Sequence, residues 1–180
     1  IEPKEDGGYE FIDKIRGGAI LADFITSVNK GIKKTQAKGI IAGFPIENVR
    51  VTLLDGKFHA VDSSDMAFQI CGSICFKKGF LKAGPILLEP VMKIEVNTPD
   101  DYIGDIVGNL NRRRGKIESM RRYRKGSQKL SGFVPLSEMF GYSTTFRNLS
   151  SGRANYSMEF HQYMPLPKAV QEEVLEKIKK

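Results

Sequence analysis

A strand that leads directly into a helix, between Leu88 and Gly115, most constrains how this chain can fold. Met92, Ile94 and Val96 alternate with polar residues, and a spacing of two is typical of a strand with one buried face. The run Thr98-Pro99-Asp100-Asp101 then predicts a helix start, with Thr98 as the capping residue. The strand and the helix are therefore expected to pack on each other within one small domain.

The predicted helix ends in a cluster of cations. Its apolar stripe has helical spacing and consists of Ile103, Ile106, Val107 and Leu110. Gly115 predicts a left-handed end to the helix. The last turn carries Arg112, Arg113 and Arg114, and positive charge there suits the helix dipole.

The elements that follow predict a βαββαβ order. We expect a strand from Ile117 to Tyr123, a turn at residues 124–127, a second strand to Pro135, a helix from Ser137 to about Leu149 and a last strand. We place Met139, Phe140, Phe146 and Leu149 in the core, and on the last strand Ala154, Tyr156, Met158 and Phe160. This order is that of a ferredoxin-like domain, in which both helices cover one sheet face and the other face is free.

The first half of the chain predicts a smaller α+β unit. It contains a strand from Tyr9 to Arg16, a helix ending at Gly39 and a strand over residues 49–54. A hairpin turn at Asp55-Gly56 is expected to lead into a strand over residues 57–61. A helix capped by residues 62–65 then runs to about Lys82, and its predicted inward face is Met66, Ala67, Ile70, Cys71 and Ile74.

Composition favours a basic protein that can bury a core. The 180 residues have a net charge of +7 and are 41% hydrophobic. Residues 1–86 contribute 12 basic and 10 acidic side chains, and the remainder contributes 16 and 11, so most of the excess lies in the second half. A local excess of this kind favours a polyanionic partner over ordinary solubility charge.

Several classes of site are excluded by the residues themselves. The chain has no GxxxxGK(S/T), GxSxG, HExxH or CxxC pattern, and its two histidines are His59 and His161. We therefore expect no catalytic residue, no metal site and no cofactor in this chain. Cys71 and Cys75 are expected to be buried thiols of a cytosolic protein, and no apolar run approaches the roughly 18 residues of a membrane span. Because the chain opens on Ile1, we expect a piece of a longer protein.

Five stretches, in this order, resemble one known family over nearly the whole chain: FIDKIRGG, HAVDSSDMAF, LLEPVMKIEV, GDIVGNLNRRRG and PLSEMFGYSTTFRNLSSGRANYSMEF. The family is elongation factor G, the ribosomal translocase, and the resemblance is to its C-terminal part. It implies an α+β fold of two domains. Residues 1–86 would form a truncated ribosomal-protein-S5-domain-2-like βαβ unit, and residues 87–165 the ferredoxin-like domain. Residues 166–180 would form a C-terminal helix, with the first domain as its candidate packing surface.

The resemblance also implies a tip loop in the first domain. The family pattern Gly-x-x-His-x-Val-Asp-Ser-Ser is matched by Gly56, His59, Val61, Asp62, Ser63 and Ser64. In the family this loop contacts tRNA and mRNA, which implies contact by Gly56, Lys57, Phe58, His59 and Ala60. The residues alone are less specific, because a single histidine in a turn is usually a surface residue, although imidazole can stack on a base and Lys57 can meet a phosphate.

Two basic clusters are the candidates for contact with ribosomal RNA. A solvated surface explains one or two charges, but eight of the 14 residues from 112 to 125 are Arg or Lys. The candidates are Arg112, Arg113, Arg114, Lys116, Arg121, Arg122, Arg124 and Lys125, with Arg147 and Arg153 as weaker ones. Phe133 is the only aromatic residue expected on the central strands of the open sheet face. We therefore reject sequence reading by that face and favour recognition of the RNA backbone and shape.

The resemblance implies the C-terminal part of a translation factor that promotes GTP-dependent translocation. GTP and Mg²⁺ would belong to a missing N-terminal domain, so this fragment would hydrolyse nothing. The implied partners are the ribosome, ribosomal RNA, tRNA and mRNA, with no membrane, and we expect a cytoplasmic monomer. The alternatives are a fragment of a ribosome-recycling paralogue or of a ribosomal-protection GTPase, or a free-standing RNA-binding protein.

Overall fold

The computed structural model of the chain describes residues 1–5 and 7–178. The chain divides into two compact units, one formed by Ile1–Pro85 with the end of the chain from Val174, the other by Ile86–Glu173. No helix in the described part of the chain is both long and apolar enough to cross a membrane. Residues 179 and 180 of the predicted C-terminal helix lie outside the described residues.

The first unit is a βαβ arrangement with one further helix. Its elements are β1 (Glu2–Pro3), β2 (Tyr9–Asp13), α1 (Ala22–Lys38), β3 (Val49–Leu53) and α2 (Asp65–Lys82). β2 and β3 are parallel and joined by α1, while β1 pairs antiparallel with β3, giving the sheet order β1-β3-β2. The predicted βαβ unit is confirmed. Its core consists of Val28, Ile32, Ile46, Val49, Val51 and Phe76.

The predicted hairpin in the first unit is wrong. No strand forms between Gly56 and α2, and residues 57–61 belong to an irregular loop. The reason is that β3 is already the central strand, with β1 on one side and β2 on the other. The predicted cap of α2 is correct, since the Ser64 hydroxyl accepts a hydrogen bond from the Ala67 amide at 3.2 Å.

Helices α1 and α2 approach each other at glycines. A Cβ added at Gly72 would lie 2.8 Å from the Val28 carbonyl oxygen, and one added at Gly31 would overlap the backbone of Gln69. The Ser73 hydroxyl donates to the Gly31 carbonyl at 2.8 Å across the same contact. The backbones therefore touch where most helix pairs are separated by side chains.

This close contact overturns the predicted inward face of α2. Met66, Ala67, Ile70, Cys71 and Ile74 are all exposed, and Cys75 is exposed as well. The buried face contains Gly72 and Phe76, flanked by the partly buried Phe68 and Phe80. Because α2 is apolar around much of its circumference, periodicity could not choose between its faces. The need to place a glycine against α1 decides the rotation of the helix.

The second unit has the predicted ferredoxin-like order. Its elements are β4 (Leu88–Pro99), α3 (Ile103–Arg112), β5 (Lys116–Arg124), β6 (Ser127–Pro135), α4 (Tyr142–Leu149) and β7 (Asn155–Pro165), followed by α5 (Lys168–Ile178). The sheet is antiparallel with the order β5-β6-β4-β7. Its core lies on one sheet face and contains Ile94, Val96, Ile106, Leu110, Leu130, Val134, Met139, Tyr142 and Phe146.

The predicted start of α3 is displaced. β4 continues to Pro99 and a 3-10 turn, Asp100–Tyr102, precedes the helix. Thr98 lies buried in the strand, and its hydroxyl bonds the Pro99 carbonyl oxygen at 3.2 Å, so it caps nothing. The cause is pairing, since Thr98 and Pro99 stay in register with Gln128 and Ser127 of β6.

Two aromatic residues predicted to be buried are exposed. Phe140 is 77% exposed because a 3-10 turn, Leu136–Met139, ends before it, and Gly141 at φ 72° separates that turn from α4. Phe160 is 54% exposed, and its ring packs on Tyr163 with centroids 5.2 Å apart. A register shift in β7 follows Phe160, so the strict alternation on which the prediction relied ends there.

The glycine contact between α1 and α2 gives a direct test of the first unit. Gly72→Ala is expected to lower the free energy of unfolding by about 1–3 kcal/mol, because the new methyl group meets backbone that cannot move aside. Chemical denaturation followed by circular dichroism measures the change. Gly108→Ala in α3 is the control, since no atom lies within 4 Å of its added Cβ, and it should be neutral or stabilising. Equal effects of the two substitutions would contradict this packing.

Candidate nucleic-acid interface

The strongest electrostatic contact in the second unit centres on Arg114. Its Nη1 and Nη2 donate to Glu89 Oε1 and Oε2 at 2.7 and 2.9 Å, and its Nε donates to Glu138 Oε1 at 3.0 Å. The Glu89 side chain is only 9% exposed. The hydrogen bonds to Glu89 are the main cause that raises the pKa of Arg114 above its ordinary value. We call this set of three residues the Arg114 clasp.

Arg114 also occupies the left-handed position that the sequence assigned to Gly115. The φ angle of Arg114 is 57°, whereas the φ angle of Gly115 is not positive. The Gly115 amide bonds the Leu110 carbonyl at 2.8 Å and the Arg114 amide bonds that of Asn111 at 3.2 Å, which is a Schellman helix end. Gly115 is required for space, because an added Cβ would lie 2.7 Å from the Leu110 carbonyl oxygen. Its prediction as the left-handed residue is therefore wrong by one position.

The other two arginines of the helix end differ from each other. Arg113 donates to the Glu138 carbonyl and to Asn109 Oδ1, and its guanidinium carbon lies 5.0 Å from the centroid of the Tyr142 ring. Arg112 is exposed and bonds only the Gly108 carbonyl of its own helix, at 3.3 Å. Of the three adjacent arginines, Arg112 is therefore the one whose charge faces solvent without a contact to another element among the described residues.

Strand β5 is an edge strand, and its basic residues lie on both faces of the sheet. Arg121 pairs with Lys129 and Lys116 with Phe133, which places both on the open face of the sheet. Arg122 pairs with Gln128 and belongs to the opposite face, while Arg124 and Lys125 lie at the turn into β6. All five side chains are exposed, and within residues 1–5 and 7–178 none of them forms an ion pair.

Carboxylates compensate the lysines at the centre of the open face. Lys129 bonds Glu95 at 2.8 Å, and Lys93 lies 4.0 Å from Glu159. The hydrogen bond from Lys129 is the main cause that lowers the pKa of Glu95, so this carboxylate stays charged. Uncompensated positive charge is therefore concentrated along the β5 edge rather than across the sheet.

The two weaker candidates for RNA contact, Arg147 and Arg153, lie before the start of β7. Arg147 is exposed on α4 and lines a shallow depression with Ser143, Gly152 and Asn155. Arg153 is exposed on the adjoining turn but does not line that depression.

The predicted tip loop of the first unit is a closed turn. The His59 amide donates to the Ser63 hydroxyl at 2.9 Å, and the Ser63 amide donates to the His59 carbonyl at 3.0 Å. These two bonds leave Ala60 and Val61 at the apex, and Val61 is 93% exposed. Lys57 and His59 are also exposed. Val61 and Ser63 were not predicted as contacts, although the four-residue spacing from His59 to Ser63 is compatible with such a turn.

The remaining two loop candidates hold the loop in place. The Phe58 ring lies 6.4 Å from that of Phe24, which stacks on Phe68 at 4.4 Å. Gly56 packs directly against the Ile20 side chain, with no room for a Cβ. Phe58 and Gly56 therefore hold the loop against Phe24 of α1 and against Ile20 just before that helix, while Lys57, His59 and Ala60 face solvent.

No group of three or more His, Cys, Asp or Glu side chains suitable for a metal ion occurs among the residues that the structure describes. The site is thus a set of cationic surfaces on two small α+β domains. Comparison with known proteins divides the chain in the same way. The family model for elongation factor G, domain IV, matches residues 1–84, and the model for the elongation factor G C-terminus matches residues 86–174.

This chain belongs to the elongation factor G family, as a C-terminal fragment. A crystal structure of a protein from Thermus thermophilus is similar over 99% of this chain, with 34% sequence identity and a TM-score of 0.91. The chain spans 26% of the length of that protein. Elongation factor G domain IV and the C-terminal domain are thus the two units described above.

The Arg114 clasp predicts different effects for adjacent arginines. Arg114→Gly removes the left-handed strain but leaves Glu89 buried without its cation, so we expect a loss of about 2–4 kcal/mol in the free energy of unfolding. The control is Arg112→Ala, because glycine at this helical position would itself be destabilising. Its expected change in the free energy of unfolding is within about 0.5 kcal/mol. Urea denaturation measures both. A neutral Arg114→Gly variant would contradict the clasp.

Proposed function

We propose that this chain is the ribosome-contacting part of a translation elongation factor that promotes GTP-dependent translocation of tRNA and mRNA. The observation that carries the proposal is the match of both units to elongation factor G, together with uncompensated cations on an exposed sheet edge. GTP and Mg²⁺ would bind an N-terminal domain of the parent protein. This chain would then act as a cytoplasmic ribosome ligand and carry out no hydrolysis itself.

The tip loop is proposed to enter the decoding region. The reciprocal bonds between His59 and Ser63 hold its apex in one conformation before binding, which reduces the entropy lost on contact. His59 would bond or stack on a nucleotide of the tRNA–mRNA duplex, Lys57 would meet a phosphate, and the exposed apex would exclude the tRNA sterically. The energy for movement would come from GTP hydrolysis elsewhere, acting through rigid-body domain positions.

The second unit is proposed to contact the sugar-phosphate backbone of ribosomal RNA. Arg112, Arg122, Arg124 and Lys125 form no ion pair with a described carboxylate, and Arg121 lies near enough to Glu95 to help lower the pKa of that carboxylate. Arg113 and Arg114 are proposed to position this surface rather than to touch RNA, because their guanidinium groups already bond protein atoms. Arg147 and Arg153 would extend the contact.

Two other functions within the family remain candidates for the parent protein, namely ribosome recycling and ribosomal protection. The tip loop and the basic edge would serve ribosome binding in each of them, so a direct assay of translocation by the parent protein separates translocation from the other two functions. The match of both units to elongation factor G argues against the remaining alternative, a free-standing RNA-binding protein.

Binding of the purified chain to ribosomes across a salt series tests the RNA contact. Arg122→Ala/Arg124→Ala is expected to weaken binding and to reduce the slope of log affinity against log salt by about 0.7–0.9 for each lost phosphate contact. Lys77→Ala/Lys78→Ala on α2 is the control with the same loss of charge. An unchanged slope, or an equal loss in the control, would reject the β5 edge as the contact. GTPase activity in the same sample would contradict the proposal that this chain hydrolyses nothing.

The tip loop is tested in the full-length parent protein. His59→Ala is expected to slow translocation in a single-round assay while multiple-turnover GTP hydrolysis is retained, because the loop acts after the nucleotide chemistry. Lys82→Ala, at the far end of α2, is the control and should leave both rates unchanged. Equal loss of translocation and hydrolysis in the His59 variant would count against a role at the tip.

A further inference from the structure

We propose that the open sheet face of the second unit contains a stacking site for one unpaired RNA base, formed by Phe133 and His161 and flanked by Lys93 and Lys116. The site deepens the proposed function, since it rests on RNA being the partner. It is separate from the β5 edge residues Arg122 and Arg124, so the two can be tested independently.

The two rings come together through the register shift in β7. Met92 pairs with Phe160 and Val91 pairs with Gln162, so His161 is an extra residue with no partner on β4. At this irregularity the His161 ring lies over Phe133, with centroids 4.6 Å apart and an interplanar angle of 31°. Alternation along β7 already places His161 on the face opposite the core, and the register shift leaves it beside the Phe133 ring without a partner on β4.

Two cations lie directly beside this ring pair. Phe133 is on β6, and the same residue pairs with Lys93 of β4 on one side and with Lys116 of β5 on the other. Lys116 is exposed and forms no ion pair within residues 1–5 and 7–178. Lys93 is compensated by Glu159 at 4.0 Å, so Lys116 is the cation that can meet a phosphate while a base stacks on the rings.

The surroundings also favour a nucleotide over an apolar protein surface. Next to the ring pair, Lys93, Glu95, Ser157 and Glu159 line a shallow depression with both donors and acceptors for a base edge. Among the paired positions of the open face, Lys93, Lys116, Arg121 and Lys129 stand against Glu95 and Glu159, and Glu118 lies unpaired at the register shift of β5.

This site has room to stack a single base. The other positions on β4 along the open face are Val91, Glu95 and Asn97, and none of them offers a second ring. Stacking on a single platform tolerates any base, because each base has a π-face. The proposal is therefore compatible with the rejection of sequence reading by this face.

The experiment compares a fluorescent eight-nucleotide single-stranded RNA with an abasic oligonucleotide of the same length and charge, both titrated into the purified chain. The wild-type chain is expected to bind the abasic strand about tenfold more weakly. His161→Ala should lose this difference, His161→Phe should retain it, and Lys116→Ala should weaken both strands while flattening the salt dependence. Lys78→Ala is the control. Because His161 and Lys116 are exposed, these variants are expected to fold.

Equal affinity of the wild-type chain for the two strands would overturn the stacking site. So would an unchanged preference in His161→Ala. Ribosome binding separates the two proposals. If the chain fails to bind ribosomes but still prefers the strand with bases, the proposed function fails and the stacking site stands. If it binds ribosomes through Arg122 and Arg124 without any preference for bases, the stacking site alone is rejected.

Discussion

The buried carboxylate of Glu89 is the constraint on which the second unit depends. A charge removed from water is tolerated only with a paired cation, and Arg114 supplies that cation with two parallel hydrogen bonds. To reach Glu89, Arg114 occupies a left-handed conformation at the end of α3, which costs about 1–2 kcal/mol for a residue with a side chain. The clasp therefore fixes where the helix ends and where β5 begins. It also decides which neighbouring cations remain free to meet a ligand.

The first unit depends on an equally specific contact, although no charge is involved. Gly31 and Gly72 let two helix backbones touch, and that contact sets the rotation of α2. The rotation brings Phe68 toward Phe24, and Phe58 of the tip loop lies beside the same ring. The position of the loop thus follows from the packing of the helices.

The order of the elements could be predicted from the sequence because alternation and helical spacing are local signals. The paired strands β4 and β6 and the stripe of α3 are of this kind. The facing of α2 could not be predicted, because apolar residues surround the helix and the deciding contact is with Gly31, far away in the sequence. The arginine cluster shows the same limit. Arg112 and Arg114 look alike in sequence. Only Arg114 bonds Glu89 and Glu138, which lie 25 and 24 residues away along the chain.

The charged edge of β5 has a second consequence, for the behaviour of the chain in solution. An edge strand presents unpaired backbone groups that can recruit a strand from another molecule. Here Arg121, Arg122 and Arg124 are exposed along that edge, so two copies that approached edge to edge would bring like charges together. The residues proposed to meet phosphate would then also oppose self-association. Neutralisation by RNA would remove this protection, and the bound RNA would itself cover the edge that becomes vulnerable.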